Sequence, residues 1–316
     1  MTSWLTGNLA YLAAWLSLKI GCVAIQLNPA AIFRLCDRLA DLGYRLFRGF
    51  RKRSLGNLRA AFGDHVNEND LENIARRSLR NFFRAFVEAA AAVKASDDEL
   101  RATISVVGRE HLDAALAKGN GIMVYSAHLG NFLLLGCRIA LEGFPTFVLV
   151  NQPRDGRFAE LMDDYRLRVR HQTIHARPRH HALRELTDVL RRNQVAVIVA
   201  DEFRKGGGIP VSLFGKTVIA RRGAVTLALR TGAAVIPACL LRQSDDSLKL
   251  VIEPEMELNR TTRDAKAIRE NTITMTQWLE RMVRAYPDQW NWMNIRWWAN
   301  TDDELANHNR QMKRAV

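Results

Sequence analysis

From about Ile104 onward, short runs of β-branched and other apolar residues alternate with longer segments whose apolar positions recur every three or four residues. The runs at 104–107, 122–125, 147–150, 195–199, 234–241 and 248–252 predict strands. The segments at 110–118, 131–142, 157–170, 180–192 and 222–231 predict helices, and a longer one is expected over 263–285. Strands that are apolar throughout, rather than alternating, belong to a sheet covered on both faces. The expected fold is therefore α/β, with a mostly parallel central sheet flanked by helices. The first hundred residues carry almost purely helical periodicity. Their longest candidate helix covers 71–93, with Ile74, Leu79, Phe82, Phe83, Phe86 and Val87 on its apolar side, and Ser96 to Glu99 reads as the cap of a further helix. No internal repeat or low-complexity linker interrupts the pattern.

The N-terminus changes the picture from a plain α/β body. Residues 9–27 are mostly apolar and would make a helix about 28 Å long, near the thickness of a bilayer core. Lys19 stands in its middle, at a cost of roughly 3 kcal/mol if the helix spans, unless it snorkels or faces protein. Asn28 and Pro29 end the segment, and no basic leader or small-residue cleavage site marks a signal peptide. Over 31–50, Arg34, Arg38, Arg45 and Arg48 are interleaved with Ile32, Phe33, Leu35, Leu39, Leu42, Leu46 and Phe47 at helical spacing, which predicts an interfacial helix. The alternative is a pair of core helices with solvated arginines. The expected organisation is a membrane-associated helical region, 1–53, followed by a catalytic-type α/β domain, 54–316.

The chain has 316 residues, 48% hydrophobic and 25% charged, which is ordinary for a folded protein, but its net charge of +13 is not. Such a surface attracts polyanions: nucleic acid, anionic lipid or an acidic protein. The basic residues are dispersed, no nucleic-acid module is present and the N-terminus favours lipid, so nucleic acid is not the expected partner. The four cysteines are scattered without metal-ligand spacing and read as buried, reduced thiols. His171, His175, His180 and His181 invite a metal reading, the first two being four apart as on one helix face. Pro178 and many arginines interrupt them, no acidic ligand completes a set, and no metal site is expected.

Ser126-Ala127-His128-Leu129-Gly130-Asn131-Phe132 joins an apolar run to a Leu-rich helical segment. This reads as strand, sharp turn and helix, with His128 at the sheet edge where α/β folds bind ligands. Gly130 permits close backbone approach, and Asn131 can hold either the turn or a substrate. On its own, His128 would be read as a turn histidine with its bonds satisfied. Asp201 and Glu202 follow another strand and reach the same edge. Next come a glycine-containing stretch through Gly208 and the turn at Phe214-Gly215. Arg204, Lys205, Lys216, Arg221 and Arg222 make this region basic, and a helix starting near Arg222-Gly223 could receive a phosphate. The alternative is a solvated loop; Lys-Ser/Thr does not follow the glycines, so it is not a nucleotide phosphate loop. Arg154 follows Asn151-Gln152-Pro153. Near the end stands Tyr286-Pro287-Asp288-Gln289-Trp290-Asn291-Trp292, then Arg296-Trp297-Trp298. Those tryptophans suit a membrane interface, an acyl groove or ordinary core packing.

In order and spacing, these segments, from Ser54-Leu55-Gly56-Asn57-Leu58 to Trp298, resemble the late (secondary) acyltransferases of lipid A biosynthesis, within the lysophospholipid acyltransferase superfamily. The resemblance implies a membrane-associated acyltransferase. It would move a fatty acyl chain from acyl carrier protein or coenzyme A to a lipid or glycolipid at the cytoplasmic face of the inner membrane. Neither metal nor nucleotide cofactor is needed for acyl transfer from a thioester. By the same resemblance His128 is the base, with Gly130, Asn131, Arg154, Arg204, Arg221 and Arg222 around the substrates; the match at Arg154 is loose. In two further places the chain departs from the family pattern. Glu202 replaces the usual Gln, and the acidic residue expected five positions after the histidine is Leu133. Three readings of Leu133 follow: Asp201 or Glu202 supplies the carboxylate, the acceptor is a more reactive group such as an amine, or the chain binds lipid without turnover.

Overall fold

A computed structural model describes residues 29–151, 156–203 and 208–293. The expected helix at 9–27, Arg154, Arg204 and the tail from Asn294 onward, with Arg296, Trp297 and Trp298, lie outside the described residues.

The described chain is α/β. It opens with four helices: α1 (Pro29–Leu46), α2 (Arg48–Phe62), α3 (Glu68–Ala92) and α4 (Asp97–Thr103). The alternating part follows as β1 (Ile104–Val107), α5 (Arg109–Leu116), β2 (Ile122–Ser126), α6 (Phe132–Leu141), β3 (Thr146–Val150), α7 (Gly156–Arg168), β4 (Gln172–His175), α8 (Arg179–Arg191) and β5 (Val195–Val199). A hairpin, β6 (Ile209–Leu213) and β7 (Lys216–Ala220), then precedes α9 (Gly223–Thr231), β8 (Ala234–Arg242), β9 (Leu248–Ile252) and α10 (Ala265–Ala285). The main sheet has the order β1-β9-β8-β2-β5-β3-β4. All its neighbours run parallel except β8 and β9, which pair antiparallel.

β2 lies in the middle of this sheet and is buried along its whole length. Met123 and Tyr125 pack into the core on one face, Ile122 and Val124 into the core on the other, as a doubly covered strand requires. Ser96 and Glu99 form the expected cap at α4, a reciprocal capping box, and Asn67, Asn131 and Asp264 accept from the first turns of α3, α6 and α10.

The pattern misled in three places. The segment at 31–50 is two helices rather than one, because the chain breaks at Phe47, and the second of them, Arg48–Phe62, runs on through residues 53 and 54. His171 and His175 do not share a helix: Gln172–His175 is an edge strand beside β3. The stretch before Arg221 is not a plain loop but the β6–β7 hairpin, with Phe214 and Gly215 as its two-residue turn. Both turn residues have positive φ, 50° and 71°, the left-handed conformation such hairpin turns use. Phe214 tolerates it because its N–H donates to Glu280 Oε2 at 2.7 Å and its ring packs among Phe62, Trp290 and Trp292.

Candidate active site

β2 and β5 are parallel neighbours, and Ser126 stands opposite Val199. Two residues beyond each strand end come His128 and Asp201, so the register alone brings them face to face at the carboxyl edge of the sheet. Ala200 N–H donates to Ser126 O at 2.9 Å and extends the pairing one step past the strands. His128 Nδ1 is 2.7 Å from Asp201 Oδ1, and the His128 N–H donates to Asp201 Oδ2 at 2.9 Å. A second donor to Oδ2 is the indole N–H of Trp290, at 2.8 Å. Asp201 is 1% exposed, whereas the His128 side chain is 32% exposed and open to a reactant.

These contacts decide the protonation. Burial raises the Asp201 pKa, but the charge of His128 and donors from His128 and Trp290 outweigh it, so the carboxyl lies below its usual range. Burial works against the His128 imidazolium, yet the charge and hydrogen bond of Asp201, with a smaller contribution from Glu202, raise its pKa above the ordinary value. With Nδ1 committed to a carboxylate, Nε2 is the nitrogen left to exchange a proton with a substrate.

The turn carrying His128 is fixed from below. Gly130 has φ +60°, and a Cβ there would stand 2.1 Å from Leu240 O, so glycine is required. Asn131 holds the turn: it is buried, its N–H donates to Leu240 O at 2.7 Å, and its side chain accepts from Leu134 N at 3.2 Å. Asn131 Nδ2 donates to Glu88 Oε2 at 2.8 Å. Glu88, from α3, is itself paired with Arg242 of β8 at 2.7 Å, the two side chains 11% and 8% exposed. Neither Glu88 nor Arg242 stands out in the sequence, because each lies inside an ordinary periodic helix or strand.

His128 opens onto a cavity of about 560 Å³. Its wall is mostly apolar: Phe132, Leu133, Val148, Met162, Leu186 and Leu227 contribute. Phe132 stacks edge-on against the His128 ring at 4.8 Å. Leu133, where the resembled family carries an acid, is part of this wall. His171 also lines it, buried and pushed down to about 3 mainly by desolvation, so it is neutral at working pH. The rim is polar. Glu202 and Arg221 pair at 2.8 Å and are each nearly half exposed, Arg179 lies at the start of α8, and Gly223 and Ala224 open α9. Glu202 therefore binds Arg221 at the rim, while Asp201 alone bonds the histidine. Arg222 is exposed at the N-cap of α9.

Of the readings open for the tail tryptophans, core packing is the one that Trp290 and Trp292 adopt. Trp290 and Trp292 are both 0% exposed and pack edge-on at 4.8 Å, and the contact of Trp290 with Asp201 was not legible in the sequence. Among the thiols, Cys137 and Cys239 are buried and Cys36 is partly buried, all of them free.

A family model described as bacterial lipid A biosynthesis acyltransferase matches residues 2–299 of the chain. The chain is 24% identical, over 289 residues, to the lipid A biosynthesis palmitoleoyltransferase of Escherichia coli, covering 90% of this chain and 91% of that one. It is 25% identical over 238 residues to the phosphatidylinositol mannoside acyltransferase of Mycolicibacterium smegmatis, covering 74% and 75%. The phosphatidylinositol mannoside acyltransferase of Mycobacterium tuberculosis is 27% identical over 202 residues, 62% of this chain and 60% of that one.

Proposed function

The chain belongs to the bacterial lipid A biosynthesis acyltransferase family, and from that premise we propose that this acyltransferase moves a fatty acyl chain from a thioester donor to a hydroxyl of a lipid or glycolipid. His128 is the general base. Its Nε2 takes the proton of the acceptor hydroxyl as the oxygen attacks the thioester carbonyl. The tetrahedral intermediate collapses, the carbon–sulfur bond breaks, and the departing thiolate takes that proton back from the imidazolium. Asp201 fixes the reactive tautomer and stabilises the imidazolium. The cavity takes the acyl chain, and the basic rim around Arg221 and Arg222 meets the phosphate of the donor's pantetheine arm or of the acceptor's headgroup. The observation that carries the reading is the 2.7 Å His128–Asp201 contact at the mouth of an apolar cavity. It also removes the reason for reading Leu133 as a mark of lost turnover, since the carboxylate comes from the neighbouring strand.

Acyl carrier protein or coenzyme A is the donor in this reading, and the site of action is the cytoplasmic face of the inner membrane. The surface of α1 supports a membrane location. Leu35, Leu39, Leu42 and Leu46 form a stripe at helical spacing, each more than half exposed. Asp37 and Asp41 face inward, paired with Arg84 and Arg80 of α3. A helix with its ion pairs inside and its leucines outside is inverted for water and suited to a lipid surface, and exposed Arg34, Arg38 and Arg45 add attraction to anionic headgroups. Among the described residues no helix is long and apolar enough to cross a membrane.

The test is transfer of labelled acyl chains from both donors into membrane lipid extract by wild type and His128→Ala in parallel. Incorporation by wild type that His128→Ala abolishes is expected, and the labelled product identifies the acceptor. Equal incorporation by both proteins, or none from either donor across several chain lengths, overturns the reading.

A further inference from the structure

After α10 the chain returns to the sheet edge through a short turn, Pro287–Gln289, and the segment that follows lies over the His128 turn. It is tied down on every side. Gly130 N–H donates to Gln289 O at 3.0 Å, and Asn291 N–H donates to His128 O at 3.1 Å. The Gln289 side chain accepts from Arg242 N at 2.9 Å and donates to Arg242 O at 2.8 Å. From the helical side, Ser78 donates to Trp290 O, Asn57 to Trp292 O, and Asn81 to Asp288 O at 2.9 Å. Two helices, one strand and the His128 turn thus hold the segment that carries Trp290, with its indole N–H 2.8 Å from Asp201 Oδ2.

The geometry points to Trp290 as a positioning residue of the reaction: its indole N–H fixes the rotation of the Asp201 carboxylate so that Oδ1 faces His128 Nδ1. This rests on the reading of His128 as the base. A carboxylate with one bonded oxygen can pivot about its Cβ–Cγ bond. Here Oδ2 receives two donors from different directions, the His128 backbone and the indole, and Oδ1 is left for the imidazole. A carboxylate so aimed holds the proton on Nδ1 and keeps the Nε2 lone pair toward the cavity. The same donor favours the ionised carboxyl, offsetting the burial of Asp201. The other ionisable groups near Asp201 do not share this task. Tyr125 of β2 and Cys239 of β8, which burial keeps protonated, donate no hydrogen bond to Asp201, whose partners are His128 and Trp290, and Glu202 is engaged with Arg221.

Two replacements separate the N–H from the bulk of the ring. Trp290→benzothienylalanine keeps the bicyclic shape and loses only the donor, and Trp290→Phe loses both. For each full-length protein the readouts are kcat and KM for the acyl donor, and the ¹⁵N shifts of the His128 imidazole, assigned by comparison with His128→Ala. With Trp290→benzothienylalanine, kcat should fall roughly 10- to 100-fold, the share of a hydrogen bond to a charged group. KM should stay within about twofold. The neutral imidazole should pass from one tautomer, protonated at Nδ1, to a mixture of two. An unchanged tautomer and kcat in the benzothienyl variant overturn the inference, even if Trp290→Phe is impaired, because shape alone would then explain the residue. The tautomer is read without turnover, so a wild type that transfers no acyl chain defeats the catalytic reading and leaves this test standing.

Discussion

Replacing Asp201 by asparagine keeps the size of the side chain and removes its charge, so Asp201→Asn isolates what the carboxylate does. A general base contributes about 10²- to 10⁴-fold to a rate, and kcat of Asp201→Asn should fall within that range while the acyl donor still binds. The pH profile gives the sign. The reactive form of His128 is the neutral imidazole, and Asp201 raises its pKa. The acid limb of kcat/KM in wild type should therefore lie above the ordinary imidazole value of about 6.5. Without the carboxylate, burial is opposed only by the smaller effect of Glu202, so the limb of the residual Asp201→Asn activity should move to lower pH. An acid limb at the same pH in both proteins would show that another group titrates.

The residue scale also shows what a sequence can carry. His128 was legible because its turn follows an apolar strand, and Asp201 because it follows another. That Asp201, not Glu202, meets the histidine depends on register: Ser126 lies opposite Val199, and a shift of one residue would have sent Glu202 to the site. Nothing local in the chain encodes that offset.

At the scale of elements, strands β1, β5 and β9 were read with their bounds intact, because each is a short, mostly apolar run with sharp ends. β4 was missed because Gln172 to His175 is an edge strand with one apolar core residue, Ile174. The hairpin was missed because Pro210 and the glycines before it look like loop. The tie between α3 and β8 was invisible for another reason: Glu88 and Arg242 are 154 positions apart, and only the fold makes them neighbours. Their pairing makes a stability prediction. Removing one member of a buried ion pair strands the other, at a cost of about 3–5 kcal/mol. Glu88→Ala should lose that much in denaturant unfolding, and Asn131, losing its bond to Glu88, should loosen the His128 turn and lower kcat as well. Equal stability of Glu88→Ala and wild type would show that water reaches Arg242.

At the scale of the whole molecule, the proposed membrane location makes one partner, a negatively charged bilayer, the expected target of both the net charge of +13 and the leucine stripe of α1. Full-length protein should bind vesicles containing phosphatidylglycerol more tightly than vesicles of phosphatidylcholine alone, and the difference should shrink as salt screens the arginines. The double substitution Leu39→Glu, Leu42→Glu faces outward and leaves the Asp37 and Asp41 ion pairs intact, so it should spare folding while weakening vesicle binding about tenfold or more. Undiminished binding, measured by co-sedimentation, would assign the membrane contact to another surface. Charge and periodicity revealed this face in the sequence. They did not reveal that the aspartates of α1 point inward, since a helix surrounded by arginines gives no hint which of its charges is buried.

The segment from Tyr286 to Met293 comes after all nine described strands in chain order. Ribosomes deliver a protein from its first residue onward, and folding begins as segments emerge. His128 and Asp201 are therefore in hand well before the indole that steadies them. During that interval the growing chain holds a base whose carboxylate lacks one of the two donors to its Oδ2. Catalytic competence then arrives late in synthesis, after the sheet is built, and a chain halted between β9 and Trp290 would carry a nearly complete fold with an unfinished active centre.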